Sequence, residues 1–166
     1  MAKKIISKKV KRPSWDEYFI QLVEVVGTRG TCDRGYNAAI LVNDKRILAT
    51  GYVGSPVGLP SCDEVGHEIH TVTGEDGKVS RHCIRTAHSE LNAIANAARV
   101  GVAINGATIY CRFFPCYTCA KTIINSGIKR VVSIRDYHAS EQSKKIFKQA
   151  KIEVKLLGGV EKYKDQ

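Results

Sequence analysis

Two short segments far apart in this sequence carry residues that make chemical sense only if they meet in space. One is His88-Ser89-Glu90, the other Pro115-Cys116-Tyr117-Thr118-Cys119, and each stands where a helix is expected to begin. A C-x-x-C on a first helical turn aims two sulfurs at one point, and the positive helix end favours both as thiolates. An imidazole from a second helix N-terminus makes His88, Cys116 and Cys119 a three-ligand metal set. Three protein ligands leave zinc one open tetrahedral position, the arrangement of a reactive site rather than a structural one. Water held there ionises near neutral pH if a neighbouring base takes its proton. Two residues along a helix turn Glu90 by about 200° from His88, so Glu90 reads as the proton shuttle and not as a ligand.

The rest of the composition allows one compact domain around such a site. The chain has 166 residues, a length at which about 70% of the unfolded surface can be buried. Apolar residues make up 43% and charged residues 25%, and no apolar run nears the ~18 residues of a membrane span, which excludes both a membrane protein and a fully disordered chain. The start Met-Ala-Lys-Lys lacks the apolar stretch of a secretory signal, so a cytoplasmic protein is expected. In that reducing setting six cysteines point to metal rather than to disulfides. Of the net charge of +10, six positive charges crowd into the first twelve residues. The expected organisation is a basic, flexible arm over 1–13, a single zinc-dependent domain over 14–160 and a polar tail over 161–166. Basic runs of this kind are usually solvated tails, so nucleic acid is not the expected partner. The positive body suits a small anionic substrate.

Along the domain, Ser14-Trp15-Asp16-Glu17 reads as a capping box opening a helix to about residue 29. Its apolar stripe is Trp15, Tyr18, Phe19, Leu22, Val23 and Val26, which the spacing predicts to be buried. Residues 37–42 and 47–52 predict a β-hairpin. Residues 61–86 are polar, rich in His, Cys and Gly and without sustained periodicity, and exceed the usual ~12–15 residues of an unstructured connection. Something other than apolar burial must fix them. Helix over 87–99, strand over 107–113, helix over 116–126, strand over 129–134, helix over 140–150 and strand over 152–157 complete an α/β alternation with a partly parallel sheet.

The ordered pattern H-x-E…P-C-x-x-C is the signature of zinc nucleobase deaminases, and the chain resembles the deoxycytidylate (dCMP) deaminase family of the cytidine deaminase-like superfamily. The resemblance rests on Trp15-Asp16-Glu17-Tyr18-Phe19, Arg29-Gly30-Thr31-Cys32, Gly51 to Pro56, Arg85 to Ile94 and Phe114 to Lys129, and covers about residues 14–157. It implies a three-layer α/β/α fold with a mixed central sheet, zinc, and hydrolysis of dCMP to dUMP and ammonia. It also implies a homo-oligomer, commonly a hexamer, and in many members activation by dCTP and inhibition by dTTP. Three positions depart from the family pattern: His-Ser-Glu for His-Ala-Glu, Val53 for an Asn among nucleotide contacts, and Asn37-Ala38-Ala39 for Val-Gly-Ala. The amide absent at 53 and present at 37 reads as a swap or a changed substrate. Asn37, Ser89 and Pro115 are the expected substrate contacts, the backbone amides of Ser89 and Cys116 included. Arg34, Arg85, Arg112 and Arg135 are candidates for phosphate, and Tyr137 for packing near the base.

Cys32, Cys62 and Cys83 fall in or beside the segment that lacks an apolar reason to be ordered. A second, structural zinc would supply that reason, with His67 as fourth ligand and His82 and His70 as rivals; some members of the resembled family carry such a zinc. Cys111, mid-strand, reads as core. Competing expectations are a deaminase of dCTP or CMP, a deaminase of a base in tRNA or single-stranded DNA, and a zinc-stabilised binding module without activity.

Overall fold

A computed structural model describes residues 11–73, 77, 79–136 and 139–158. Most of the basic arm, Tyr137 and the polar tail therefore lie outside the described residues. The first helix, α1 (Trp15–Gly27), starts where the capping box places it: the Ser14 hydroxyl accepts from the Glu17 amide, and the Glu17 carboxylate accepts from the Ser14 amide at 2.7 Å. Strands β1 (Ala38–Asn43) and β2 (Arg46–Tyr52) form the expected hairpin. Helices α3 (Ser89–Arg99), α4 (Tyr117–Asn125) and α5 (Glu141–Gln149) alternate with β5 (Thr108–Phe113), β6 (Arg130–Arg135) and β7 (Glu153–Leu156).

The five-stranded sheet runs β2-β1-β5-β6-β7. The strand β1 is antiparallel to both neighbours, whereas β5, β6 and β7 are mutually parallel, so the sheet is mixed. Alternate strand residues face two separate cores. Ile40, Val42, Tyr110 and Val132 pack on Phe19 and Val23 of α1. Ala39, Leu41, Ile109, Cys111 and Val131 pack on Ala93 and Ala97 of α3, Ala120 and Ile123 of α4 and Phe147 of α5. These are the three layers, and Cys111 is core.

The stripe on α1 is only partly buried. Trp15 and Tyr18 are 51% and 41% exposed. The first turn of α1 stands at the margin of the sheet, where Trp15 stacks on Phe19 on one side and meets the Lys45 ammonium of the β1–β2 turn on the other. The neighbouring Asp16 does the anchoring. It takes both guanidinium nitrogens of Arg130 at 2.8 and 2.9 Å, the Tyr110 hydroxyl at 2.9 Å and the Lys155 ammonium at 2.6 Å, tying α1 to three strands.

The segment 61–86 holds short elements that periodicity did not reveal: α2 (Cys62–Val65) and a separate hairpin of β3 (Ile69–Thr73) and β4 (Val79–Cys83). Four-residue helices and exposed strands carry too few apolar positions to show a pattern.

Helix α3 sits hard against the edge strand β2. Its Asn92 and Asn96 amides donate to the Tyr52 and Thr50 carbonyls at 2.8 and 2.9 Å. Between them lies Gly51, where a Cβ would stand 2.3 Å from both the Ala93 nitrogen and the Ser89 carbonyl oxygen. No side chain fits there. Gly51→Ala is therefore expected to lower stability by about 1–3 kcal/mol through overpacking, read as a lowered urea midpoint. Asp16→Asn is expected to cost about 2 kcal/mol at pH 7, allowing for partial solvent exposure of the pair. Hydrogen bonds from Arg130 chiefly, then from Lys155 and Tyr110, outweigh burial and hold the Asp16 carboxyl well below the usual range. Its contribution is present above the unfolded value of about 4 and is lost as pH falls below it, so urea unfolding at pH 3 should show a smaller gap between variant and wild type.

Candidate active site

Two helices begin at one place. His88 is the N-cap of α3 and Cys116 the N-cap of α4; both have extended backbones, and neither side chain caps its own helix. Both are thus free to turn toward each other. The Nδ1 of His88 lies 3.4 Å from the Cys116 sulfur and 3.5 Å from that of Cys119, in the third position of α4. Zinc bonds of ~2.3 Å to sulfur and ~2.0–2.1 Å to nitrogen at a tetrahedral angle put those atoms about 3.6 Å apart, so the three donors fit the ion. Because His88 stands in the extended cap and not in the helix, a helical wheel does not describe its relation to Glu90. The change of backbone at the cap separates them: His88 opens outward, whereas Glu90 is 1% exposed.

Burial pushes the Glu90 carboxyl up from its ordinary value, against the pull of the neighbouring imidazole. The Ser89 hydroxyl donates to Glu90 Oε2 at 3.0 Å and fixes its orientation. Between the sulfurs, hydrogen bonding from Cys119 outweighs burial and brings Cys116 down to about 4, with His88 assisting. The hydrogen bond to Cys116 in turn raises His88 to about 9 and pushes Cys119 up.

A second group forms beside the first: Cys32, Cys62, His67 and Cys83 have ligand atoms all within 4.8 Å of one another. The Cys62 and Cys83 sulfurs are 3.6 Å apart, and Cys32 sulfur lies 3.7 Å from His67 Nδ1. A closed zinc tetrahedron needs about 3.8 and 3.6 Å for those pairs. The far nitrogen of His67 meets Asp33 Oδ1 at 2.9 Å, the carboxylate–imidazole arrangement that orients a metal-ligating histidine. Burial raises Cys62 to about 12; at Cys83 burial is the largest single effect, but hydrogen bonds from the Arg85 and Glu68 backbone, Cys62 and His67 together overcome it and leave the thiol at about 7. His67, rather than its rivals, joins the group. His82 is exposed and shares a hydrogen bond with Ser80, and His70 is exposed opposite it on β3.

One cavity of about 250 Å³ joins the two groups, lined by His88, Glu90, Cys116 and Phe114 at its floor and by Cys32, Arg34, Asn37, Val53, Ser80, Arg81, His82, Cys83 and Thr86 around its sides. Asn37 and Val53 are neighbours there, the Val53 amide donating to the Asn37 carbonyl at 2.8 Å. The Oδ1 of Asn37 is buried with no partner. Ser89 and Pro115 are fully buried and do not line the cavity. Among the arginines expected to meet phosphate, Arg34 lines it, whereas Arg85 pairs with Glu68 and Arg112 with Glu24. Arg135 ends β6, where its carbonyl accepts from the Phe114 amide. Ser80, Arg81 and His82 were not foreseen as lining residues; the available signal was their position on the polar segment just before Cys83.

The model of the cytidine and deoxycytidylate deaminase zinc-binding region matches residues 13–135. The chain is 37% identical over 145 residues to ComE operon protein 2 of Bacillus subtilis, covering 87% of this chain and 72% of that protein. It is 36% identical over 144 residues to the deoxycytidylate deaminase of Saccharomyces cerevisiae, covering 87% of this chain but spanning only 45% of that protein. Among solved structures, the dCMP deaminase of cyanophage S-TIM5 in complex with dCMP and dUMP is similar at a TM-score of 0.70 and 27% identity, covering 89% of this chain and 99% of that one.

The contrast among the thiols is open to test by metal removal. In protein stripped with a chelator at pH 6, iodoacetamide should alkylate Cys116 faster than buried Cys119 and leave Cys111, which burial pushes far up, unmodified. Peptide mass spectrometry reads the order, and added zinc should protect Cys116.

Proposed function

Since this chain belongs to the cytidine and deoxycytidylate deaminase family, we propose that it is a zinc-dependent hydrolase that converts dCMP and water to dUMP and ammonia, with Glu90 as its catalytic acid and base. The observation that supports this most is that a fully buried carboxyl lines the same cavity as His88 and Cys116, two of three convergent metal donors completed by buried Cys119. His88, Cys116 and Cys119 would hold the catalytic zinc; Cys32, Cys62, His67 and Cys83 would hold a structural one. The catalytic ion, when bound, supplies the positive charge that lets a water ionise near neutral pH.

The residues of the chain do the rest. Glu90 takes one proton from the water and delivers it to the ring nitrogen beside the amine-bearing carbon, while the water oxygen bonds to that carbon. It then carries the second proton to the amine, the carbon–nitrogen bond breaks and ammonia leaves. A carboxyl pushed up by burial is a stronger proton acceptor than a solvated one, which suits this two-way traffic. The Ser89 hydroxyl keeps it aimed. Ser89 also offers a backbone N–H from the first turn of α3, and Pro115, which does not line the cavity, acts through its neighbour Cys116. Asn37 offers its unpartnered Oδ1 to a donor on the substrate.

The same family supports a homo-oligomer, a hexamer by resemblance, acting in the cytoplasm with dCTP and dTTP as effectors; gel filtration and kinetics with and without dCTP test these. No helix among the described residues is long and apolar enough to cross a membrane.

Metal analysis should return two zinc ions per chain, falling to one in Cys116→Ser and to one in Cys83→Ser. Glu90→Gln should keep both ions and lose kcat by about 10²–10⁴-fold. Ammonia release measured against dCMP, dCTP, CMP and an RNA stem-loop tests the substrate: release with dCMP is expected, and release with the stem-loop alone would overturn it.

A further inference from the structure

Two sulfurs of the four-donor group differ in how they can be reached. Cys62, at the start of α2, is buried and does not line the cavity, whereas Cys83, at the end of β4, is half-buried and forms part of the cavity's side. A reagent small enough to enter that 250 Å³ space meets the Cys83 sulfur. Cys62 waits behind it. The two sulfurs stand 3.6 Å apart, so a bond of ~2.05 Å between them asks for an approach of about 1.5 Å. All six cysteines are unbridged.

Charge also separates this group from the catalytic one. Around a divalent cation the thiolates of Cys32, Cys62 and Cys83 leave one negative charge over, whereas those of Cys116 and Cys119 leave none. The sulfurs of the four-donor group therefore keep more of their nucleophilic character. In the catalytic group Cys116 lines the cavity, but its partner Cys119 is fully buried and does not.

We propose that Cys62 and Cys83 are a site of reversible oxidation by a hydroperoxide, and that the disulfide they form opens the second metal group. The proposal rests on the reading of that group as a zinc site. The Cys83 thiolate attacks one peroxide oxygen, the O–O bond breaks and hydroxide leaves, so that Cys83 becomes a sulfenic acid. The Cys62 thiolate then attacks the Cys83 sulfur, the S–O bond breaks and a second hydroxide leaves. Two thiolates have given two electrons to the peroxide, and two protons from solvent turn both hydroxides into water. Cys32 and His67 remain, two donors where a structural zinc takes four. The catalytic group is held separately. Asn92 and Asn96 tie α3 to β2, and Ala87, next to His88, exchanges both backbone hydrogen bonds with Gly54 at 3.0 and 3.4 Å. Oxidation thus loosens one side of the cavity and spares the reacting atoms.

The test treats the zinc-loaded protein with hydrogen peroxide in the presence of a chromophoric chelator. One zinc per chain should be released, and non-reducing peptide mass spectrometry should find Cys62 joined to Cys83. Dithiothreitol followed by zinc should reverse both. Dimedone added with the peroxide should mark Cys83 and not Cys62. In the oxidised protein the dCMP KM should rise about 10-fold, within the range of coupling between two sites, with kcat little changed, and should return after reduction and zinc. Retention of both ions, a bridge between Cys116 and Cys119 instead, or dimedone on Cys62 would overturn the proposal. An unchanged KM after loss of one ion would overturn the link to the cavity. One zinc per chain before any peroxide would sink the structural-zinc reading, while the mapped bridge still decides whether Cys62 and Cys83 are the reactive pair. A wild type inert toward dCMP would sink the deaminase reading alone, since zinc release and the bridge are read without substrate.

Discussion

The site exists because two helices start at the same point. Each brings an N-cap residue whose side chain is not used to cap its own helix, and the ends present unpaired amides and positive partial charge to one small volume. That field favours thiolate at Cys116 and suits any anionic species. The parallel run of β5, β6 and β7 makes this possible, since α4 leaves from the carboxyl end of β5. On the other side α3 is held by β2, and Gly51 lets its backbone approach closer than any side chain at that position would allow. Backbone packing places Glu90, and the Ser89 hydroxyl orients its carboxyl.

The polar segment between β2 and α3 is ordered by other means. Its helix α2 and its hairpin of β3 and β4 bury little apolar surface, and their largest shared feature is the meeting of Cys32, Cys62, His67 and Cys83. Metal binding contributes folding free energy where a small unit lacks a core. With Asp33 behind His67, the donor set has the supporting contact that such sites use. The two donor sets thus share a wall, and one cavity touches both.

Most of the main sheet and its helices was legible in the sequence, because period-two and period-3.6 apolar patterns there reflect one-sided burial in large cores. The capping box at Ser14 and Glu17 named the start of α1 correctly. Trp15 and Tyr18 followed the apolar period of α1 and still lie exposed, since the pattern cannot say where the sheet beneath a helix ends. The short elements of the polar segment left no periodic trace. Arg34 was a candidate among several cations; Arg81 was not a candidate, because nothing local separates a wall residue from a solvated one.

The sequence by itself determined the donor types and their order: an imidazole, a carboxyl two residues on, and two sulfurs three residues apart, with three more cysteines and a nearby histidine left over. These follow from side-chain chemistry, which needs no coordinates. Only the tertiary structure decided which histidine joins the second group, that Asn37 stands beside Val53 with an unpaired oxygen, and which arginines are free of acids. Those outcomes depend on contacts between segments distant in the chain. Whether a charge is answered or left open is a property of the neighbours that folding supplies.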